Sequence, residues 1–358
     1  MSHANFIVKN ILSLVLLSTF SSTIDIATGL EQDPYTSYFT GNKMDKEVQP
    51  TFGITMMGGR SEHDEAMKWF LQKANGGDIL VLRASGSDGY NKYLFSELGI
   101  TVNSVESIVI DNEEAAHHPY VVERIKKAEA IWMAGGNQWN YIHFWGNSPM
   151  KAALNAHISV KKGAIGGTSA GMAVLGDWYF SAQNGSITSE EALSNPYDEK
   201  VTLGNSFLNI QVLENTITDT HYANRNRQGR HTSFMAKIAQ ESAQQVYGIA
   251  CDEYTAVCID ETGLARIFGH YPEKTEAVYF IQTSCIDNNS PEKLSQGEPL
   301  TWNRNKSALS VYKVIANESG TQTFNLNDWK TGNGGEWKHW YVQESKWQER
   351  PGSQPTCN

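Results

Sequence analysis

The sequence predicts an α/β fold in which a doubly wound, mostly parallel sheet is followed by a β-rich C-terminal extension. Short apolar runs alternate with amphipathic stretches from about Phe52, which is the pattern of strands alternating with helices. Glycine-rich turns directly follow the buried runs, and ligands bind at such carboxyl ends of strands in open α/β sheets. From about Gln244 the pattern changes to adjacent strands joined by tight turns.

The N-terminal segment, residues 1–27, is predicted to be a secretory signal peptide. His3 and Lys9 precede an apolar run from Ile11 to Phe20, and small residues follow it. The run is too short to span a bilayer comfortably, and a buried N-terminal helix is the alternative. Ala27 is one option for the cleavage site. We therefore expect a secreted or periplasmic protein with no membrane association after the signal is removed.

Three further segments are predicted after the signal. Residues 28–48 are polar without clear periodicity and are interpreted as a linker or arm. Residues 49–290 are predicted to form the catalytic domain, and residues 291–358 the β-rich extension, whose tail after Gly332 is rich in tryptophan. In the catalytic domain we expect strands near 52–59, 78–83, 104–110, 131–134 and 164–167, and helices near 62–74 and 119–128.

The composition limits the partners of the chain. Its 358 residues are 40% hydrophobic and 19% charged, as in globular proteins, and allow one large core. A net charge of −10 argues against a nucleic-acid surface, which needs a basic face, but a small basic pocket for an anionic substrate remains compatible with it. The oligomeric state is open, with a homodimer as one option.

The four cysteines, Cys251, Cys258, Cys285 and Cys357, all lie in the last third. An exported chain meets an oxidising compartment, where four cysteines allow three full disulfide pairings; buried free thiols are the alternative. Their spacing is not that of a zinc site. We expect neither a metal nor a cofactor.

The sharpest local signal is the stretch Gly166-Gly167-Thr168-Ser169-Ala170-Gly171. A serine flanked by small residues between a buried strand and a helix is the pattern of a nucleophile elbow, a tight turn that exposes the hydroxyl. The backbone N–H of Ala170 is then a natural oxyanion donor at the start of the helix. The alternative is a glycine turn that only permits close packing.

A second glycine turn, Ala134-Gly135-Gly136-Asn137-Gln138, also follows a buried strand. Its N–H groups are candidates for the other half of an oxyanion hole, with Gln138 facing the substrate. Alternatively, Asn137 only caps the next helix.

A third segment places His221 at the end of another predicted strand, after Asp219 and Thr220. Three arginines follow, and their planar guanidinium groups bind carboxylates in a bidentate manner. The alternative is an exposed helix face with solvated side chains. The arginines are Arg225, Arg227 and Arg230.

Taken together, GGNQ, then GGTSAG about thirty residues later, then D-x-H followed by R-x-R-x-x-R, resemble the cyanophycinase family of serine peptidases. These are relatives of the aspartyl dipeptidases within the flavodoxin-like, class I glutamine-amidotransferase-like fold. The resemblance spans about residues 52–265 and includes the stretches Gly77–Asn91 and Gly248–Ala256. It implies cleavage of β-aspartyl bonds in cyanophycin, a polyaspartate whose side chains carry arginine.

The resemblance also implies roles for individual residues. Ser169 matches the nucleophile and His221 the general base, and Gly136 and Ala170 match the oxyanion donors. The matching substrate-pocket positions are Gln138, Asp219, Thr220, Arg225, Arg227 and Arg230. Thr220 departs from the cyanobacterial pattern, which has glutamine there, so the details of substrate binding are left open.

The acid of the triad is not determined by a motif. A carboxylate after the nucleophile is expected in the family, and we favour Glu190 or Glu191 over Glu253, which aligns loosely with the acid of the dipeptidases. Three alternatives to a cyanophycinase remain: a dipeptidase acting on short aspartyl or isoaspartyl peptides, an inactive relative, and a binding module that uses the tryptophan-rich tail. A glutamine amidotransferase fits less well because the elbow carries serine instead of cysteine.

Overall fold

The computed structural model describes Met1, residues 32–284 and residues 290–356. The predicted signal peptide, apart from Met1, lies outside the described residues, as do Cys285 and Cys357. Residues 33–358 form one compact unit. Within the described residues, no helix is long and apolar enough to cross a membrane.

The described strands form two sheets, of ten and eight strands. The first has the order β1-β4-β3-β5-β6-β2-β11-β12-β15-β16 and the second β18-β17-β14-β13-β10-β9-β7-β8. The strands are β1 (Thr36–Gly41), β2 (Gly53–Met57), β3 (Asp78–Arg83), β4 (Ser104–Val109), β5 (Ala130–Met133), β6 (Ala164–Thr168), β7 (Trp178–Phe180), β8 (Leu203–Asn205), β9 (Thr216–Asp219), β10 (Tyr247–Cys251), β11 (Ala256–Asp260), β12 (Leu264–Tyr271), β13 (Ala277–Thr283), β14 (Leu309–Ile315), β15 (Gln322–Asn325), β16 (Gly332–Asn333), β17 (Gly335–Gln343) and β18 (Lys346–Pro351).

Several α-helices start with the signals expected of helix N-termini. Asn112 and Ser148 cap two of them through their side chains, and proline occupies the first turn of two. The helices are α1 (Asp64–Lys73), α2 (Glu113–His117), α3 (Pro119–Lys127), α4 (Gln138–Trp145), α5 (Pro149–Ala156), α6 (Ala170–Ala173), α7 (Ser189–Ser194) and α8 (Gln228–Ser242).

The predicted α/β class is confirmed, but the first sheet is parallel only at its centre, and the strands on either side of this centre pair antiparallel. The centre of the first sheet is parallel, with β4, β3, β5, β6 and β2 side by side. Side chains alternate along β3: Leu80 and Leu82 join one hydrophobic cluster, and Ile79 and Val81 another. Such near-continuous apolar runs are expected of strands buried on both faces. The carboxyl ends of these strands therefore meet at one edge of a well-packed scaffold.

Part of the segment interpreted as a linker or arm is instead an edge strand. β1 pairs antiparallel with β4, with Thr36 opposite Val109. The contact is reinforced by the buried Glu106, which accepts hydrogen bonds from Ser37 Oγ at 2.5 Å and from Tyr120 and pairs with Arg124. Alternation of apolar side chains did not reveal this strand because its side chains are exposed or half-buried.

The C-terminal region is rich in β-strands, as expected, but its strands complete the two sheets. β14, β17 and β18 extend the second sheet beyond β13, and β15 and β16 extend the first. Trp340 is fully buried, and Trp337 and Trp347 pack against the core clusters. These rings therefore serve the core, which removes the main support for a binding tail.

Cys251 and Cys258 are free and fully buried. Burial raises the pKa of both thiols, that of Cys258 to about 12. These two cysteines thus follow the free-thiol alternative.

Candidate active site

Ser169 stands on the sharp turn between β6 and α6. Its φ of 51° and ψ of −113° lie outside the usual regions for a residue with a side chain, as at a strained nucleophile elbow. The backbone N–H of Ser169 donates to Met57 O at 3.1 Å, which anchors the turn on β2. A Cβ at Gly171 would lie 2.1 Å from Met133 O, so only glycine allows α6 to approach β5 so closely.

His221 follows β9 and reaches the nucleophile. Its Nε2 lies 2.8 Å from Ser169 Oγ, and its backbone N–H donates to Gly58 O at 2.8 Å. Gly59, at a φ of 112°, packs against the imidazole, and a Cβ there would be 2.3 Å from the ring. Burial lowers the pKa of His221, and the nearby guanidiniums of Arg225 and Arg227 lower it further against the opposing effect of Glu253. The ring is therefore a neutral base near pH 7.

Glu253 is the carboxylate that holds the His221 ring. Its Oε1 lies 2.7 Å from His221 Nδ1, and its Oε2 accepts from Arg60 Nε at 2.9 Å. The side chain of Asn224 accepts from the Glu253 backbone N–H at 2.8 Å. Burial would raise the pKa of Glu253, but the hydrogen bonds with His221 and Arg60 lower it. An ionised carboxylate only accepts, so Nδ1 carries the proton and Nε2 is free to accept from Ser169.

The structure corrects the preference for Glu190 or Glu191. Glu191 forms a capping box with Thr188 at the start of α7 and pairs with Lys200 at 2.8 Å. The hydrogen bond from Lys200 and those from Thr188 lower the pKa of Glu191 to about 2. Glu190 is exposed on the same helix. Glu191, which we favoured as an acid because it follows the nucleophile in the sequence, therefore serves to cap α7.

The two predicted oxyanion donors lie near the nucleophile. Ala170 begins α6, where the first backbone N–H groups have no partner within the helix. Gly135 adjoins Ser169, since a Cβ built on it would be 3.6 Å from Ser169 Cβ. Gly136 follows directly, and Tyr141 steadies this turn by donating to Ala134 O at 2.6 Å. The role of both N–H groups as oxyanion donors remains a prediction.

The predicted substrate residues Asp219 and Arg230 instead form a buried ion pair. Arg230 donates through two nitrogens to Asp219, at 2.9 and 2.6 Å, and is 3% exposed. Arg227 donates to the backbone oxygen of the buried Thr220 at 2.8 Å and lies 3.4 Å from Asp219. Burial would raise the pKa of Asp219, but Arg230 and Arg227 lower it to about 2. This group stabilises the start of the His221 loop, and its charges satisfy one another inside the protein.

Two other predicted substrate residues, Gln138 and Arg225, lie outside this buried ion-pair group. Gln138 begins α4, and its side chain donates to Phe180 O at 3.3 Å. Arg225 is exposed and lines the cavity that contains Ser169 and His221. Of the three arginines identified in the sequence, Arg225 is therefore the one that faces this cavity.

The cavity around the nucleophile has a volume of about 460 Å³. Several of its lining residues were not among the predicted site residues: Arg60, Glu62, Arg83, Tyr90 and Thr168. Glu62 and Tyr90 share a short hydrogen bond, and burial raises the pKa of the Glu62 carboxyl. Thr168 Oγ1 is buried without a hydrogen-bond partner among the described residues.

A signal for these residues was present in the order of the strands. Arg60 and Glu62 come just after β2, and Arg83 ends β3, so all three lie at carboxyl ends of parallel strands. That edge is where α/β sheets bind ligands. Arg83 is held by the backbone oxygens of Ser85 and Ser87, both at 2.5 Å.

Comparison with known families agrees with this geometry. The model of peptidase family S51 matches residues 57–267. The chain belongs to peptidase family S51. The matched range contains Ser169, His221 and Glu253, and the resemblance to the cyanophycinase family is confirmed at the level of this family.

The curated S51 relatives are similar over part of their length. A cyanophycinase of Synechococcus elongatus is 26% identical over 176 residues, which are 49% of each chain. A cyanophycinase of Nostoc sp. is 24% identical over 208 residues, 58% of this chain and 62% of the relative. The alignments thus span about half to three fifths of the relatives. A solved structure of a peptidase from an acI-B1 Actinobacterium aligns with a TM-score of 0.46 and 14% identity over 77% of this chain and 98% of that one.

Proposed function

We propose that this S51 protein is a serine peptidase that cleaves the polyaspartate backbone of cyanophycin, next to its β-substituted aspartyl units, and releases β-Asp-Arg dipeptides. The observation that carries the proposal is the hydrogen-bonded chain Ser169–His221–Glu253, at 2.8 and 2.7 Å, opening into a cavity lined by arginines. The names of the curated relatives support the substrate.

The mechanism is acyl transfer. Ser169 Oγ attacks the scissile carbonyl carbon while His221 Nε2 takes its proton, and Glu253 stabilises the imidazolium. The N–H groups of Ala170 and Gly136 stabilise the oxyanion, each worth roughly 2.7–4 kcal/mol in the transition state. His221 then protonates the leaving amine, and water hydrolyses the acyl-enzyme with the same base.

The charges of the cavity fit this substrate class. Each side chain of cyanophycin ends in an arginine, which carries a free carboxylate and a guanidinium group. Arg225 is available for a carboxylate, and Arg83 offers the Nη2 that its hydrogen bonds to Ser85 O and Ser87 O do not use. Glu62 is the acidic residue among the lining side chains. Arg60 is engaged with Glu253. Asp219, one of the predicted substrate-pocket positions, is already paired with Arg230.

The test is the release of arginine-containing dipeptide from insoluble cyanophycin by the purified protein, with Ser169→Ala as the control. Labelling by a sulfonyl fluoride, mapped to a peptide, reports independently whether Ser169 is an activated nucleophile. Dipeptide release by the wild type alone supports the proposal. If Ser169 is labelled but no dipeptide is released, cyanophycin is rejected as the substrate, and the assignment of the protein as a serine hydrolase stands.

The second candidate is a dipeptidase for aspartyl or isoaspartyl peptides. It is favoured by the size of the cavity, about 460 Å³, which suits a short peptide. Comparing kcat/KM for β-Asp-Arg dipeptide and for the polymer separates the two. A preference for the dipeptide would identify the dipeptidase.

We propose in addition that the protein is exported. The support is the apolar run from Ile11 to Phe20 after His3 and Lys9. Export also fits a polymer that is too large to be imported before cleavage. Fractionation of the producing cells and N-terminal sequencing of the mature chain test this; an uncleaved chain found inside the cell contradicts it.

We infer that the parallel centre of the first sheet is wrapped in the doubly wound manner. α1 contributes to one apolar cluster, with Phe70 and Leu71, while α3 and α5 contribute to the other, with Val121 and Leu154. An experimental structure that placed these helices on one face would contradict it.

A further inference from the structure

Two histidines and a glutamate from distant parts of the sequence meet at one point. His63 immediately precedes α1, His270 is the penultimate residue of β12, and Glu318 lies in the loop after β14. One ring nitrogen of each histidine and a carboxylate oxygen of Glu318 all lie within 4.8 Å of one another. The spacing of cysteines and histidines along the chain did not predict such a cluster, because only tertiary packing brings these residues together.

The distances within the cluster match those between metal ligands. Glu318 Oε2 is 3.4 Å from His63 Nε2 and 3.0 Å from His270 Nδ1. Zinc bonds to histidine nitrogen and carboxylate oxygen are about 2.0–2.2 Å long, so two ligand atoms of a tetrahedral site lie about 3.4 Å apart. The two imidazole rings are stacked, with centroids 4.7 Å apart and planes at 28°. Both rings are therefore held beside the same carboxylate.

The single proton of a neutral His63 ring cannot serve both oxygens that lie near its Nε2. His63 Nε2 lies 3.3 Å from Gly269 O as well as 3.4 Å from Glu318, and a neutral ring donates a single proton. His63 Nδ1 is buried without a hydrogen-bond partner among the described residues. A cation between the ring nitrogens and the carboxylate would use the lone pairs that face one another.

We propose that His63, His270 and Glu318 form a binding site for a divalent transition-metal ion of the zinc type. Two imidazoles and one carboxylate suit zinc, whereas calcium and magnesium prefer sites made of oxygen atoms. The side chains of His270 and Glu318 are 29% and 59% exposed, so the ion has a path from solvent and water can complete its coordination. His63, fully buried, provides the rigid side of the site.

The site lies at the end of a loop that supports the catalytic residues. In residues 58–63, Gly58 O accepts from the His221 backbone, Gly59 packs on the imidazole and Arg60 pairs with Glu253. A metal on His63 would tie the end of this loop to β12 and to the loop after β14. Metal binding therefore stabilises the loop on which the base and its acid rest.

The first experiment measures zinc uptake by the full chain after removal of metals with a chelator. Isothermal titration and elemental analysis after dialysis should show one zinc ion bound per chain. His270→Gln and Glu318→Gln should weaken binding by more than the roughly 10- to 100-fold that loss of a second-shell partner causes. Glu318 is exposed, so its variant should fold normally. His117→Gln is the matched control, because His117 is an exposed histidine on α2 beside Glu113.

A second control separates this site from the catalytic one, since His221 and Glu253 also offer a nitrogen and a carboxylate to zinc. His221→Gln should retain zinc uptake, and zinc should raise the Tm of this variant as it raises that of the wild type. Glu318→Gln should show no such rise. Uptake that is absent from the wild type, unchanged in both ligand variants, or lost only in His221→Gln would overturn the proposal.

Discussion

Arg60 and Glu253 form a hydrogen-bonded ion pair at 2.9 Å, on the carboxylate oxygen opposite the one that faces His221. The hydrogen-bonded chain that starts at Ser169 is therefore four residues long, and its outer member comes from the loop after β2. Arg60 is 62% exposed at its side chain, so solvent weakens the pair. Its effect on catalysis should be modest and should act through the orientation and charge of Glu253.

We expect Arg60→Ala to lower kcat about two- to fivefold, the range for an exposed ion pair. Without Arg60 the negative potential of Glu253 at His221 is greater, which raises the pKa of His221. The acidic limb of the kcat/KM profile should then move to higher pH. Arg266→Ala, which removes an exposed arginine of β12, is the control. An unchanged profile would show that Arg60 does not act on Glu253.

Glu253→Gln should lower kcat by about 10³- to 10⁴-fold. The amide no longer favours the tautomer with the proton on Nδ1, and it does not stabilise the imidazolium. Binding of a substrate analogue should change little, because Glu253 is not among the residues lining the cavity. Steady-state kinetics test this.

Glu190→Gln and Glu191→Gln are the matched controls for this change. Both should retain nearly full kcat, since Glu191 is engaged with Thr188 and Lys200 and Glu190 is exposed. A large loss of kcat in either variant, with Glu253→Gln still active, would show that the catalytic acid is the residue of α7 that was changed.

The pH dependence should reflect a base with a low pKa. Burial lowers the pKa of His221 from the ordinary value of about 6.5, and the neutral ring is the active form. Activity should thus rise with pH through an inflection of kcat/KM below about pH 6.5. Rates measured between pH 4 and 9 locate that inflection. An inflection clearly above 6.5 would contradict the proposed environment of the ring.

Arg225→Ala should reduce kcat/KM on β-aspartyl substrates about 10- to 100-fold and leave stability nearly unchanged. A hydrogen bond to a charged group is worth about 1.5–3 kcal/mol, and Arg225 is exposed at the cavity. The acidic inflection should also rise, because the guanidinium of Arg225 lowers the pKa of His221. Wild-type kcat/KM in this variant would leave Arg225 outside substrate binding.

Arg230→Ala should instead destabilise the fold, by about 3–5 kcal/mol. It leaves Asp219 buried and charged without its bidentate partner. Urea unfolding measures the loss, and Arg225→Ala should stay within about 0.5 kcal/mol of the wild type. Equal free energies of unfolding for Arg230→Ala and Arg225→Ala would show that the buried Arg230–Asp219 pair makes no net contribution to stability.

The sequence by itself determined the parallel strands near 52–59, 78–83, 104–110, 131–134 and 164–167, and it singled out Ser169 and His221. The strands and Ser169 depend on local physics: an apolar run buried on both faces, and a turn that only small residues permit. His221 was identified by its place at the end of a predicted strand and by the resemblance to the cyanophycinase family. Residue type and order along the chain were enough to recognise them.

Only the tertiary structure decided which charged groups meet. Glu191 and Glu253 are both acidic, but one caps α7 while the other follows β10 at the edge where His221 arrives. Arg225 and Arg230 are equally basic, but one faces the cavity and the other is buried against Asp219. The partner of a charge depends on which loops converge at the carboxyl ends of the strands, and a single sequence does not encode that convergence in any local pattern.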